Sequence, residues 1–281
     1  MDRAFRLVDV FGDGDFTGNP LAVVSDAQGL DTETMQGIAR WLNLSETTFL
    51  LPPDDAGADY RVRIFTLNRE LPFAGHPTLG TCHAWLAAGH RPRVPGRIVQ
   101  QCTVGLVTVR QEADGALAFA APPLLRSGPL DAGERAEAAR FLGIAEQDVV
   151  AAQWVDNGPG WLAVMLASAE AVLAVRPARQ SAAPVMVGVV GPHPEGSEAR
   201  FEVRAFLTDQ HGAVLEDPVT GSLNAALALW LLEGGATGAP YVAAQGAALG
   251  RRGRVRIERD DDGTVWVGGQ ARTMVAGRGH F

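Results

Sequence analysis

Residues 63–81 read Arg63-Ile64-Phe65-Thr66-Leu67-Asn68-Arg69-Glu70-Leu71-Pro72-Phe73-Ala74-Gly75-His76-Pro77-Thr78-Leu79-Gly80-Thr81. An apolar alternation of strand type carries Arg-x-Phe, and a polar-Pro step 13 residues after the Arg opens a helix-like run. The same order returns as Arg204-Ala205-Phe206 and then Asp217-Pro218-Val219-Thr220-Gly221-Ser222. Leu21-Ala22-Val23 recurs as Leu162-Ala163-Val164. All three pairs share one offset of 141 residues, half of a 281-residue chain. One match at one offset is noise; three in order argue for two copies of one mixed fold. A proline at the first helical position puts the residue before it at the N-cap, so His76 and Asp217 are both expected there. Free N–H groups and the helix dipole favour an anion at such ends. Two repeats facing each other would bring both ends to a shared cleft, suited to holding a carboxylate and moving a proton.

Outward from these repeats, strands and helices alternate. Arg6–Phe11, Leu21–Ser25, Thr47–Leu51 and Arg61–Thr66 have strand character. Thr32–Leu42 predicts a helix capped by Asp31, and Pro77–Ala88 one that stops at Gly89. Gly105 and the Asp114-Gly115 turn separate three strands, Ile98–Gln101, Leu106–Arg110 and Ala116–Ala120. A Pro- and Gly-rich loop from Pro122 to about Asp131 is the expected domain boundary. It divides the chain into 1–124 and 125–281, with the final strand allowed to cross back. Beyond it come a helix at Glu134–Leu142, further strands, a long helix from Pro218 to Leu232, and a strand-rich tail.

Composition removes several classes of function. Net charge is −8, against the basic stripe that nucleic-acid binding needs. All 24 basic residues are arginine. Without lysine there is no Schiff-base cofactor and no Walker P-loop. Cys82 and Cys102 lack C-x-x-C spacing, which excludes a zinc ribbon. The opening MDRAFRLVDVF is not of signal-peptide type, and the longest strongly apolar run, Ala225 to Leu232, is too short to span a bilayer. A soluble, cytoplasmic protein is expected, with no nucleic-acid or membrane partner.

The residues able to do chemistry each have a plain structural alternative. Glu46, in Leu44-Ser45-Glu46-Thr47-Thr48-Phe49, is a desolvated base or a solvated loop residue. His76 is an acid/base group or a cap; Asp217 is a second carboxylate or a cap, with Glu216 a weaker substitute. Cys82 and His83 adjoin, but nothing completes a metal site with them. Gly12, Gly14 and Gly18 miss the dinucleotide spacing, and strand-like sequence follows where a helix is required. Gln245–Gly253 reads as an anion cradle or as a tight turn between strands. Gly-x-Ser-x-Gly is absent.

Together these segments resemble the phenazine-biosynthesis isomerase (PhzF-like) family. The matching stretches are Val8–Phe11 with Gly18–Val24, Leu44–Phe49, Arg63–Thr66 with Glu70–Thr81, Asn157–Pro159, Glu216–Ser222, Gln245–Arg251 and Val267–Gly269, in family order. The resemblance implies an α/β (α+β) chain of the diaminopimelate-epimerase fold: two similar, pseudo-symmetric domains, each a mixed β-sheet rolled around a central helix. It implies a homodimer and no cofactor. It implies Glu46 as acid/base with His76 and Asp217 catalytic, and Asn19, Gly75, Gly221 and Ser222 holding a small anionic metabolite. The reaction implied is isomerisation of the trans-2,3-dihydro-3-hydroxyanthranilate type. An epimerase or racemase of an amino-acid-like substrate and a non-catalytic small-ligand binder are the rivals. Two-thiol racemases of this fold carry cysteines at the two helix starts, where neither Cys82 nor Cys102 is expected.

Overall fold

The structure is a computed structural model describing all residues, Met1–Phe281. It forms two compact units, Met1–Ala120 with Gly268–Phe281, and Ala121–Val267.

The N-terminal unit begins with β1 (Asp2–Val10), β2 (Asn19–Val24), α1 (Thr32–Leu42), β3 (Thr47–Leu51) and β4 (Tyr60–Phe65). It continues with β5 (Glu70–Leu71), α2 (Gly75–Ala87), β6 (Arg97–Cys102), β7 (Gly105–Gln111) and β8 (Leu117–Ala120). The C-terminal unit runs β9 (Arg126–Pro129), α3 (Ala132–Leu142), β10 (Ala151–Asp156), β11 (Leu162–Met165), α4 (Ala169–Ala174) and β12 (Met186–Pro192). There follow β13 (Phe201–Thr208), β14 (Val214–Asp217), α5 (Gly221–Glu233), β15 (Tyr241–Gln245) and β16 (Gly253–Arg259), and then β17 (Val265–Gly269), along which the chain passes back into the first unit. The last strand, β18 (Ala271–His280), pairs antiparallel along all of β1, from Asp2↔His280 to Val10↔Ala271.

Strand pairing repeats between the units. In the first, β1–β2 is antiparallel, β2–β3 parallel, β3–β4 antiparallel, β4–β6 parallel and β6–β7 antiparallel. In the second, β10–β11, β11–β12, β12–β13, β13–β15 and β15–β16 follow the same sequence of directions. Each parallel pair needs a crossover. α1 and α2 supply them in the first unit, α4 and α5 in the second.

The two crossover helices of a unit differ in kind. α1 is amphipathic and lays Met35 and Ala39 on Val24, Phe49 and Phe65. Asp31 accepts from Thr34 N at 2.8 Å and caps it as the sequence predicts. α2 is buried over ten of its thirteen residues, and α5 over eight of thirteen. Helices apolar on every side are core elements, and these are the central helices around which the sheets wrap. Gly80 makes the close fit: a Cβ there would stand 2.5 Å from Leu21 Cδ2.

Three expectations change. α2 starts at Gly75, not Pro77, and α5 starts at Gly221, not Pro218. Their N-caps are Ala74 and Thr220, so neither His76 nor Asp217 caps a helix. Proline is tolerated anywhere in a first turn, whose N–H groups have no intrahelical acceptor, so Pro77 does not mark the start. The offset of 141 residues therefore holds in the strands but becomes 146 at the central helices. The β13–β14 hairpin between Phe206 and Glu216 is five residues longer than that between Phe65 and Glu70. Finally, Arg126–Pro129 is a strand on β10 rather than loop.

Candidate active site

Each unit places chemically equipped side chains at the start of its own central helix. In the N-terminal unit, the glycine-rich loop after β1 is closed on a carboxylate. Asp9 accepts from Thr17 N and Gly18 N, both at 2.9 Å. N–H groups that a phosphate would need are thus already taken. A Cβ on Gly18 would fall 2.1 Å from Val10 O, so only glycine lets the loop enter β2 here. The next residue is Asn19, fully buried, with Nδ2 3.5 Å from His76 Nδ1.

His76 is the second residue of α2 and is 3% exposed. Its Nε2 lies 3.5 Å from Oε2 of Glu46, which sits immediately before β3. Burial drives the imidazole pKa down, to about 3, so it is neutral at pH 7. The first turn of α2 is fixed from below. Ala74 O accepts from Thr78 N and Thr78 Oγ1, and Thr78 Oγ1 accepts from Gln100 Nε2 at 2.9 Å. No side chain caps the helix.

The C-terminal unit repeats the plan with other side chains. Asp156, the last residue of β10, accepts from Gly158 N and Gly160 N, each at 2.7 Å, and closes the loop that leads to Trp161. Trp161 Nε1 donates to Ser222 Oγ at 3.1 Å, and Asn157 Nδ2 donates to Ser222 O at 2.9 Å. Ser222 is the second residue of α5, the place His76 holds in α2. Asp217 ends β14 and accepts from Thr220 Oγ1 at 2.6 Å. Gln245 ties this turn to β15: its Oε1 accepts from Thr220 N and Asn224 Nδ2, and its Nε2 donates to Asp217 O. Because Thr220 spends its hydroxyl on Asp217, it leaves the helix N–H groups uncapped.

The structure thus gathers Glu46, His76, Asn19 and Gly75 in one unit, and Asp217, Gly221 and Ser222 in the other. Glu216 is no substitute for Asp217, because both its oxygens accept from Arg204, at 2.9 and 2.8 Å. Cys82 is the eighth residue of α2, fully buried, its thiol pushed up to about 12. Cys102 ends β6. Neither lies at a helix start. His83 Nε2 stands 3.0 Å from Thr273 Oγ1. Residues 246–252 join β15 to β16 through a 3-10 turn at Ala247–Leu249. Sequence reasoning missed Trp161, Asn157, Gln245 and Thr220 as site-building residues. The Asn157-Gly-Pro and Gln245-Gly stretches were the available signal.

Comparison with known proteins gives one consistent picture. Residues 8–277 match the family described as phenazine biosynthesis-like protein. Antisense-enhancing sequence 1 of Schizosaccharomyces pombe is 35% identical over 297 residues, covering 99% of this chain and 98% of that protein. Trans-2,3-dihydro-3-hydroxyanthranilate isomerase of Pseudomonas fluorescens is 35% identical over 249 residues, covering 88% and 87%. The crystal structure of a PhzF-family phenazine biosynthesis protein from Enterococcus faecalis superposes with a TM-score of 0.80 over all of both chains, at 25% identity.

Proposed function

Because the chain belongs to the phenazine biosynthesis-like family, we propose that it is a cofactor-independent isomerase. It moves a proton within a small carboxylate-bearing metabolite of the trans-2,3-dihydro-3-hydroxyanthranilate type. The observation that carries this reading is the Glu46–His76 pair: a carboxylate 3.5 Å from a buried, neutral imidazole, beside an uncapped helix start.

In this mechanism Glu46 takes a proton from one ring carbon and returns it to another. One C–H bond breaks and one forms, the electron pair shifts through the ring's double bonds, and nothing is oxidised or reduced. A base positioned in a place poor in water needs only local tuning to contribute roughly two to four orders of magnitude in rate. His76 supports it without carrying charge. Asn19 steadies the ring of His76, and Gly75 gives a backbone N–H. In the other unit, Ser222, Gly221 and Asp217 orient the substrate.

The test is ultraviolet absorbance of purified protein with trans-2,3-dihydro-3-hydroxyanthranilate, wild type beside Glu46→Gln. Consumption by wild type and none by the variant is the expected result. A variant that keeps the wild-type rate overturns Glu46 as the base. Wild type that leaves the compound untouched overturns the substrate assignment, and a proton-exchange screen in deuterium oxide with other small acids then follows.

A further inference from the structure

We propose that Trp161 is a positioning residue that commits the Ser222 hydroxyl to donating, and so makes the start of α5 selective for a carboxylate oxygen. This rests on the reading above, in which Ser222 meets the substrate.

An indole nitrogen can only donate. Trp161 is 2% exposed, so its N–H has no access to water, and it is directed at Ser222 Oγ from 3.1 Å. A serine oxygen that accepts here uses one of its two lone pairs and keeps its single hydrogen for another direction. Ser222 Oγ donates to no acceptor in the protein. Asn157 holds the same residue through its carbonyl. Asp156 freezes the loop that delivers both, through Gly158 and Gly160. The hydroxyl is therefore a donor in a fixed place, next to the uncapped N–H groups of a helix start. Apart from the Asp217 carboxylate, which already accepts from Thr220 Oγ1, the groups presented there donate. A carboxylate satisfies such a set; an amide or an ammonium leaves part of it unmatched. The N-terminal unit shows the same device, with a loop closed on Asp9 delivering Asn19 to the second residue of α2. This gives the Asn157-Gly-Pro segment its purpose.

The experiment has two arms. In the first, Trp161→Phe removes the N–H and keeps an aromatic ring. With trans-2,3-dihydro-3-hydroxyanthranilate it should raise KM by about three- to tenfold, the worth of one hydrogen bond, and leave kcat nearly unchanged. In a Ser222→Ala background the same change should do nothing further. An equal loss in both backgrounds overturns the proposal, because Trp161 then acts through packing. The second arm needs neither turnover nor a folded Trp161 variant. Of the six tryptophan indole N–H resonances, one should move between wild type and Ser222→Ala. That same signal should respond to sodium acetate, as a bare carboxylate probe, in wild type only. If no indole signal moves, the proposal fails even where the substrate is consumed. If the signal responds to acetate but the substrate is not consumed, the proposal stands and the substrate assignment falls.

Discussion

Nε2 of His76 stands 3.5 Å from Oε2 of Glu46, on an imidazole almost wholly withdrawn from water. Its pKa is about 3 in the fold against 6.5 in the unfolded chain. Above pH 6.5 both states leave the ring neutral, and it adds no pH dependence. Between 6.5 and about 3 the unfolded chain binds a proton that the fold refuses, so stability is lost as pH falls. The slope approaches about 1.4 kcal/mol per pH unit for one proton. Urea unfolding of wild type and His76→Gln should run parallel above pH 7 and diverge below 6.5, the variant losing less. Parallel curves down to pH 4.5 would show that the ring is protonated in the fold.

Arg204 grips Glu216 through two parallel bonds, and Arg63 grips Glu70 in the same way, at 2.8 and 2.6 Å. Each arginine also lies over a phenylalanine two residues on, Phe206 at 4.8 Å and Phe65 at 5.1 Å. The two forks differ in burial. Side chains of the first are 6% and 12% exposed, those of the second 25% and 29%. Removing one member of a buried pair costs about 3–5 kcal/mol, while an exposed pair is worth at most about 1. Glu216→Gln should therefore destabilise the protein by several times as much as Glu70→Gln, measured by denaturant midpoint. Equal shifts would show that solvent reaches both forks alike.

Burial raises both thiols, Cys82 to about 12. At pH 8 only about one Cys82 in ten thousand is the reactive thiolate. Folded protein should resist iodoacetamide at pH 8, and denaturant should release two reactive thiols, the full cysteine count. Cys82→Ala should keep its turnover. Rapid native labelling of Cys82, or loss of activity in that variant, would revive thiol-based chemistry.

The strands and the duplication were legible because they are written in local pattern. Apolar alternation placed β3 at Thr47–Leu51, and one offset joined Leu21 to Leu162 and Arg63 to Arg204, which the repeated strand pairing reproduces. The helix starts were not legible. Pro77 and Pro218 look equivalent in sequence, yet one lies inside a first turn and the other three residues before its helix. What separates them is the length of a hairpin, which shifts no residue type. Long-range partners were invisible for a related reason. Nothing beside Trp161 announces that its N–H will meet a serine 61 residues away. Glu216 looked like a spare acid because its arginine, on the neighbouring strand, is twelve residues upstream.

β1 takes its antiparallel partner β18 from the opposite end of the sequence, with Leu7 beside Val275. On the ribosome, β1 emerges long before β18. The C-terminal unit, whose strands and central helix lie between them, is complete in sequence while its host still lacks a strand. Domains fold as units while synthesis proceeds, but the first unit cannot complete its sheet until β18 has been made. Throughout that wait one flank of β1 is an open edge, a template for pairing with a neighbouring nascent chain. The exposed interval is set by how fast the residues between β1 and β18 are made.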